Sequence, residues 1–310
     1  MRAVICPKYG PPEVLRLTEV EKPWPADDEV CIRVRAAAVT NSDMFIRGSQ
    51  IPLRYRIPMR FMIGLTRPRR SIIGLVLAGE VESTGKSIER FAAGDQVYGM
   101  TCFGLGAYAE YKCMPEVDSM RTGCLALKPA GITYEEATVA AYGGLLGLQY
   151  MEKGNVKPGQ KVLVYGASGT SGTTAVQFAR YLGAEVTAVC GPANLDFVKS
   201  LGAERVLDYT TQHELPEQER FDFVLDAVGK AKTSRLKEAC RRALSPTGSY
   251  VSIDDGNLLA DSTRLDRMRH LIEAGHITPV LDRCYPLDEI VEAHRYVSQG
   301  HKRGGVAVTV

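Results

Sequence analysis

The sequence lacks the features that mark membrane, exported and nucleic-acid-binding proteins. It has no stretch of about 18 consecutive apolar residues, the length that a membrane-spanning helix needs. Its first residues, Met1-Arg-Ala-Val-Ile-Cys-Pro7, lack the longer apolar segment of a secretory signal peptide. Its 38 basic and 36 acidic residues nearly balance, so no basic excess suggests nucleic acid as a partner. We therefore expect a soluble cytoplasmic protein without nucleic-acid or membrane partners.

Cysteine spacing excludes two further classes. The eight cysteines form no C-x-x-C pattern and have no close histidine partner, which argues against a disulfide framework and a zinc finger. Reduced thiols are predicted. One basic cluster, Arg67-Pro-Arg-Arg70, either meets an anion or forms a solvated loop.

The chain is long enough, at 310 residues, for two domains. Its first 120 residues are rich in Pro and Gly and contain short β-branched runs, which predict a mostly β domain. The predicted strands there are residues 30–39, 72–81 and 96–98. The capping-box pattern Thr133-Tyr-Glu-Glu136 then opens an apolar helix that Gly143-Gly144 interrupts.

Strands and helices alternate after residue 160, which predicts a parallel sheet with helices on its faces. The predicted strands are residues 161–165, 185–190, 205–207, 221–226 and 249–253, and the predicted helices are residues 172–182, 195–201, 232–244 and 265–274. The tail, with strands 278–281 and 306–310 around helix 287–297, is expected to return to the β domain.

A glycine-rich turn lies between the predicted strand 161–165 and the helix that follows it. Small residues allow the backbone to approach a pyrophosphate, and the N–H groups at a helix N-terminus favour its charge. The turn therefore predicts binding of a nicotinamide dinucleotide, the alternative being a tight turn without a ligand. The predicted contacts are Gly166, Ala167, Ser168, Gly169, Thr170, Ser171 and Gly172.

Cofactor preference is predicted from the end of the second strand in this half. NAD-binding proteins place an acidic residue there, which binds the ribose 2′-hydroxyl, but this sequence has Cys190-Gly191. Without a carboxylate to repel it, a 2′-phosphate is tolerated, so NADP(H) is predicted. Asp196 lies beyond the strand and is interpreted as an early residue of the next helix.

Several segments resemble the medium-chain dehydrogenase/reductase superfamily in their order and spacing. They are Ala37-Ala-Val-Thr-Asn41-Ser-Asp43, Gly74-Leu-Val-Leu-Ala-Gly79, Gly94-Asp-Gln-Val-Tyr-Gly99, Gly106-Ala-Tyr-Ala-Glu-Tyr111, the glycine turn, and Pro286-Leu-Asp-Glu-Ile-Val-Glu-Ala-His294. The resemblance covers nearly the whole chain. It implies an α/β fold with a GroES-like catalytic β domain, residues 1–122 and 277–310, and a doubly wound parallel-sheet (Rossmann) domain, residues 123–276.

Within the superfamily the sequence most resembles the zinc-independent quinone oxidoreductase branch, similar to zeta-crystallin. Thr40, Leu75, Val76 and approximately Tyr142 stand where zinc-dependent relatives carry residues of the metal site. A catalytic zinc needs about three N, S or O ligands, which Leu75 and Val76 cannot supply. The four closely spaced cysteines of a structural zinc site are also missing. No metal is expected.

The resemblance also implies roles for individual residues. Asn41 is expected near the nicotinamide and substrate with Asp43 supporting it, although an Asn here also suits a turn. Tyr142 is interpreted either as a hydroxyl donor to a developing oxyanion or as a packing residue. Further cofactor contacts are implied for Asn194, Tyr209, Asp226, Val228 and Ser252. NADPH-using relatives often have Lys or Arg where this chain has Ala193 and Asn194, so a cation is missing there.

Without a metal to polarise a carbonyl, substrates with delocalised electrons are favoured. We therefore predict hydride transfer from NADPH to a quinone or an α,β-unsaturated carbonyl, with loops around residues 50–65 and 101–111 shaping the substrate pocket. Two alternatives are an alcohol or aldehyde oxidoreductase and a cofactor-binding protein with little catalysis. A strand that joins subunits in many relatives is not visible after residue 253, which predicts a monomer or weak homodimer.

Overall fold

The structure is a computed structural model that describes residues 1–48, 60–61, 63–230, 232–256 and 259–310. The chain packs as two units. Unit 1 comprises Met1–Tyr142, Leu259–His270 and Leu281–Val310, and unit 2 comprises Gly143–Leu258 and Leu271–Val280.

The strands are β1 (Arg2–Ile5), β2 (Arg16–Glu19), β3 (Glu29–Val39), β4 (Val76–Thr84), β5 (Gln96–Met100), β6 (Tyr111–Pro115), β7 (Cys124–Leu127), β8 (Lys161–Tyr165), β9 (Glu185–Cys190), β10 (Arg205–Asp208), β11 (Phe221–Asp226), β12 (Leu244–Ser252), β13 (Leu281–Pro286) and β14 (Gly305–Thr309). The helices considered below are α1 (Asn41–Gly48), α2 (Tyr134–Val139), α3 (Leu145–Lys153), α4 (Thr170–Tyr181), α5 (Leu195–Ser200), α6 (Arg235–Arg242), α7 (Ser262–Glu273) and α8 (Ile290–Ser298).

Unit 1 is built around a sheet with the strand order β13-β14-β3-β4-β5-β7, and β6 pairs with β3. Strand β3 is its longest described strand, and it buries both β-branched and alanine side chains. Such side chains suit a strand that is covered by neighbours. The antiparallel pairing of β14 with β3 aligns Val308 with Ala37, which confirms that the C-terminal tail returns to the β domain.

Two strands of unit 1 begin later than the sequence predicts. Gly74 adopts φ +101°, a left-handed conformation, so regular pairing of β4 starts only at Val76 instead of residue 72. Pro279 lacks an N–H group, and the strand predicted at residues 278–281 is instead β13, Leu281–Pro286.

Unit 2 contains a parallel sheet with the strand order β10-β9-β8-β11-β12. The chain runs outwards from β8 through β9 to β10, and then returns to place β11 on the other side of β8. This reversal confirms the predicted doubly wound topology. In such sheets ligands bind at the carboxyl ends of the strands where the order reverses, which here means the ends of β8 and β11.

Unit boundaries differ from the predicted domain limits at residues 122 and 277. Strand β7 pairs with β5, so the segment that follows residue 122 packs within unit 1 and the first boundary lies after Tyr142. The predicted helix break at Gly143-Gly144 is instead a π-helical turn, Ala140–Gly144, between α2 and α3. Such turns often occur at functional sites.

Within the described ranges, no helix combines the length and the apolar character that crossing a bilayer requires.

Candidate functional site

The glycine turn joins β8 to α4 and is held against β9. The N–H groups of Gly166 and Ala167 both donate to the carbonyl of Val189, at 2.9 and 3.0 Å. Gly166 has φ +86°, and a Cβ there would lie 2.4 Å from Cγ1 of Val228. A Cβ on Gly172 would lie 2.2 Å from the Gly166 carbonyl oxygen. Both positions therefore require glycine for close packing of the turn.

The N-terminus of α4 suits an anion. The N–H of Thr173 donates to the carbonyl of Gly169 at 2.9 Å, which closes the first turn of the helix. Gly169 caps the helix without a side-chain hydrogen bond. The turn residues Ser168, Gly169, Thr170 and Ser171 are partly exposed. These features fit the pyrophosphate of a dinucleotide, because the helix dipole adds positive potential here.

Gly191, at the end of β9, is flanked by two of the predicted cofactor residues. The aromatic ring of Tyr209 lies 3.5 Å from the position that a Cβ on Gly191 would take. The backbone N–H of Tyr209 donates to the Cys190 carbonyl at 3.3 Å. The N–H of Asn194 donates to the Gly191 carbonyl at 3.0 Å. The structure therefore brings Asn194 and Tyr209 together around Gly191.

Asp208 is a carboxylate in this region that the sequence analysis missed. It stands opposite Cys190 in the β10–β9 register. Its Oδ1 accepts hydrogen bonds from the amide and the hydroxyl of Thr210, both at 2.8 Å. The Thr210 amide bond is the main cause of the lowered pKa of Asp208, so this side chain remains ionised. Its position directly before Tyr209 was the available sequence signal.

Asp226, at the end of β11, forms a buried ion pair with Lys237 of α6. Its Oδ2 lies 2.8 Å from Nζ of Lys237, and both side chains are buried. The same ammonium group donates to the carbonyls of Gly229 and Lys232, each at 2.7 Å. Lys237 therefore uses its three N–H donors inside unit 2. The sequence alone does not indicate a role for Lys237.

The remaining hydrogen bonds of the Asp226 carboxylate are also formed with residues of unit 2. Oδ2 accepts hydrogen bonds from the hydroxyls of Tyr250, at 2.9 Å, and Ser252, at 3.1 Å. Oδ1 accepts from the amides of Val228 and Gly229, each at 3.2 Å. Asp226 and the buried Ser252 therefore fix the loop whose Val228 packs on the glycine turn. This geometry favours a supporting role for both residues over direct contact with a ligand.

The first turn of α1 in unit 1 is held by Asp43. Its buried Oδ2 accepts hydrogen bonds from the amide of Thr40, at 2.8 Å, and from its hydroxyl, at 2.6 Å. The Asp43 amide donates back to that hydroxyl at 3.3 Å. This reciprocal cap presents Asn41 at the exposed start of the helix. Burial raises the pKa of Asp43 to about 7, although the Thr40 hydrogen bonds lower it.

Tyr142 reaches this same turn from the π-helical segment. Its hydroxyl lies 2.9 Å from the hydroxyl of Ser42. Burial raises the pKa of Tyr142, against the hydrogen bond with Ser42 that lowers it. The phenol therefore stays protonated at neutral pH and can donate. Ser42 is a further candidate that the sequence analysis missed, and its place between Asn41 and Asp43 was the available signal.

The positions that match zinc ligands in relatives do not fit a metal. Leu75 and Val76 are buried aliphatic residues, and the Thr40 hydroxyl already donates to Asp43. Across the residues that the structure describes, no three or more His, Cys, Asp or Glu side chains are grouped to hold a metal ion.

His294 on α8 is wholly buried in unit 1. It packs edge-on against Tyr108, with ring centroids 5.7 Å apart. Burial lowers the pKa of His294 to about 3, so the imidazole is neutral at physiological pH. This placement suits a structural role for His294.

The raised pKa of Asp43 predicts a pH-dependent difference in stability between the wild type and Asp43→Asn. The usual carboxyl pKa of 3.8 applies after unfolding, so the folded state holds an extra proton between pH 3.8 and about 7. The stabilisation from this proton is present below pH 3.8 and is lost as the pH rises to 7. Urea unfolding from pH 4 to pH 8 should show the wild type losing roughly 1–4 kcal/mol relative to the variant. Parallel stability curves would contradict the prediction.

Together, a mostly β unit completed by the C-terminal tail and a doubly wound unit with a glycine turn define a two-domain, nicotinamide-dependent dehydrogenase or reductase. Sequence models of known families agree. The family described as "Alcohol dehydrogenase GroES-like domain" matches residues 26–124, and two families described as "Zinc-binding dehydrogenase" match residues 172–257 and 256–308.

Individual relatives extend this agreement to the whole chain. It is 28% identical to the mouse (Mus musculus) mitochondrial NAD(P)H oxidoreductase RTN4IP1, over 100% of this chain and 89% of that protein. It is 26% identical to the 2-methylene-furan-3-one reductase of Solanum lycopersicum, over 99% and 79% respectively. The solved quinone oxidoreductase of Coxiella burnetii has the same fold, with a TM-score of 0.81, 22% identity, and coverage of 100% and 99%.

The family matches and the relatives together support the medium-chain dehydrogenase/reductase superfamily, and within it the zinc-independent quinone and enone oxidoreductase branch that the sequence resembles. The predicted family and fold class are confirmed.

Proposed function

We propose that this protein is an NADPH-dependent oxidoreductase that reduces quinones or α,β-unsaturated carbonyls. The observation that carries the proposal is the glycine turn at the point where the strand order of unit 2 reverses, which places the N-terminus of a twelve-residue helix at the carboxyl ends of the strands. The names of the relatives, an NAD(P)H oxidoreductase and a reductase of a methylene-furanone, support the same chemistry.

Unit 2 would hold the cofactor. Residues 166–172 would bind the pyrophosphate through backbone amides, and Asn194 and Tyr209 would flank the adenosine beside Gly191. Val228 would line the site, while Asp226 and Ser252 hold its loop in place. The bound dihydronicotinamide supplies the hydride.

Unit 1 would supply the polar groups for the substrate. The protonated hydroxyl of Tyr142, aligned by Ser42 at 2.9 Å, would donate to the oxygen on which negative charge develops. Asn41 would orient the substrate through its amide. Asp43 acts as a positioning residue, because its capping bonds with Thr40 fix the first turn of α1.

Substrate class follows from the groups that replace the metal ligands. Leu75 and Val76 cannot polarise a carbonyl, which leaves hydroxyl and amide donors for that task. Such donors stabilise less charge than a metal ion, so a substrate that delocalises its electrons over a quinone or enone is favoured. Saturated alcohols and aldehydes lack this delocalisation.

The decisive experiment measures oxidation of NADPH and NADH with a panel of quinones and enones, and oxidation of alcohols with NADP⁺ and NAD⁺, before and after treatment with a chelator. We expect NADPH-dependent turnover of a quinone or enone that resists chelation. Alcohol turnover that chelation abolishes would favour a zinc-dependent alcohol dehydrogenase. Tight NADPH binding without turnover would favour a cofactor-binding protein.

Gly191→Asp is expected to reverse the preference for NADPH. A Cβ on residue 191 would lie 3.5 Å from the Tyr209 ring, an ordinary van der Waals contact, so the substitution adds no clash at the Cβ. The carboxylate would repel a 2′-phosphate while accepting a hydrogen bond from a ribose hydroxyl. The kcat/KM for NADPH should fall at least about tenfold, with NADH unchanged or improved. Gly191→Asn has the same shape without the charge, and should retain the NADPH preference. Equal use of both cofactors by the wild type would contradict the proposed selectivity.

Tyr142→Phe tests the hydroxyl while keeping the ring. We expect kcat to fall roughly 10- to 100-fold because one donor to the developing oxyanion is lost. The Kd for NADPH and the melting temperature should change little, since Phe fills the same volume. If Tyr142 only packs, kcat will remain at the wild-type value.

A further inference from the structure

Two cysteines far apart in the sequence stand opposite each other in the sheet of unit 1. Cys31 lies on β3 and Cys113 lies on the antiparallel strand β6, and the two residues are direct partners in the register. Both are present as free thiols. The sequence spacing gives no sign of this pair, because the strand register alone creates it.

The phase of the ladder places the pair at a site that suits a disulfide. The amide of Val34 donates to the backbone carbonyl of Glu110, and the amide of Glu116 donates to the backbone carbonyl of Asp28. A hydrogen-bonded pair therefore lies three residues from the cysteine pair on each side. Antiparallel ladders alternate between hydrogen-bonded and non-hydrogen-bonded pairs, and the cysteines occupy a non-hydrogen-bonded position. Cα atoms at such positions are about 4.5 Å apart, within the range of roughly 4.4–6.8 Å found across disulfides.

The surroundings of the pair favour thiolate at Cys31. A hydrogen bond from Cys113 lowers the pKa of Cys31, and burial opposes this. The Lys22 ammonium, which pairs with Glu82 at 2.5 Å, also lowers that pKa, while Glu82 itself raises it. The same thiol contact raises the pKa of Cys113. The Cys113 thiol therefore donates a hydrogen bond towards the Cys31 sulfur.

The other buried thiols lack this arrangement. Burial raises the pKa of Cys6, Cys102 and Cys190 to about 11, which keeps these groups protonated and unreactive. Cys31 is itself almost completely buried, but Cys113 is only partly buried and offers access to small oxidants. The pair thus combines a thiolate-prone sulfur with an accessible partner.

We propose that Cys31 and Cys113 form a reversible intramolecular disulfide when the protein meets hydrogen peroxide. The Cys31 thiolate attacks one oxygen of a peroxide that enters beside the partly exposed Cys113, the O–O bond breaks, and the released hydroxide takes the proton of the Cys113 thiol to form water. This leaves a sulfenic acid at Cys31. The Cys113 thiolate then attacks the Cys31 sulfur, so that the S–S bond forms and hydroxide leaves. The two electrons pass from sulfur to peroxide, and a dithiol reductant restores both thiols.

The crosslink would join β3 to β6 across a long intervening segment of the chain. Closing a large loop restricts the unfolded state, so the oxidised protein should be more stable. The expected rise in melting temperature is on the order of 5–10 °C, reversed by dithiothreitol. This modification site does not depend on the proposed catalytic function.

The test treats the full chain with hydrogen peroxide, blocks remaining thiols, and maps peptides without reduction. We expect a peptide that links Cys31 to Cys113, with two free thiols lost from the eight. Cys113→Ser should abolish the link and the rise in melting temperature, whereas Cys284→Ser, at an exposed site, should retain both. A map that shows only intermolecular links, only over-oxidised Cys31 or Cys113, or no link would overturn the proposal. Because the wild-type map is decisive alone, a poorly folded variant would not obscure the result.

Discussion

Lys237→Met is expected to lower the free energy of unfolding by about 3–5 kcal/mol. Methionine fills much of the same volume but removes the charge, which leaves the Asp226 carboxylate buried without its cation. The carbonyls of Gly229 and Lys232 also lose their shared donor. Urea unfolding followed by circular dichroism measures the loss, which is comparable to much of the total stability of an ordinary domain.

Lys232→Met is the matched control, because this lysine side chain is exposed and only its backbone carbonyl contacts Lys237. The control should change stability by less than about 0.5 kcal/mol. Asp226→Asn with Lys237→Met should recover part of the loss, since no unpaired charge remains. Equal stability of Lys237→Met and the wild type would show that the ion pair contributes nothing.

Gly172→Ala is expected to weaken NADPH binding by at least about 100-fold, through the loss of two or more charge-assisted hydrogen bonds. The added Cβ would lie 2.2 Å from a backbone oxygen of the glycine turn, and backbone cannot yield as a flexible side chain can. The start of α4 must therefore shift, which moves its amides away from the phosphates. Titration of the protein with NADPH measures the change.

Gly159→Ala separates this effect from general destabilisation. Gly159 also lies in unit 2 and has φ +78°, but a Cβ there meets no atom within 4 Å. The control should lose about 1 kcal/mol of stability through backbone strain, while its affinity for NADPH stays unchanged. Similar NADPH affinity in Gly172→Ala and the wild type would reject the turn as the pyrophosphate site.

The doubly wound fold could be predicted because its signals are local. Short runs rich in apolar residues at 161–165, 185–190 and 221–226 coincide with β8, β9 and β11, and the glycine turn marks the start of α4. The predicted starts of strands were wrong where a single residue changes the local backbone conformation. Gly74 and Pro279 delay the starts of β4 and β13, and a register shift accompanies the early start of β12.

The candidate site was less predictable because its contacts join distant segments. The hydroxyls of Ser42 and Tyr142 meet only after a hundred residues of chain have folded between them. Lys237 occurs in a helix where a lysine ordinarily faces solvent, so its burial against Asp226 depends on packing that no local pattern encodes. Most of the loop around residues 50–65 lies outside the described residues, and the substrate pocket it was expected to shape stays a prediction.

The burial of His294 also affects the proton balance of folding. Its pKa is about 3 in the folded chain against an ordinary 6.5, so unfolding takes up a proton between these values. Its stabilisation is complete above pH 6.5 and is lost as the pH falls towards 3. Asp43 in the same unit releases a proton on unfolding between pH 3.8 and about 7. From pH 4 to 6 the proton released by Asp43 and the proton taken up by His294 on unfolding cancel. The combined contribution of these two buried side chains to the free energy of unfolding is therefore nearly independent of pH in this range.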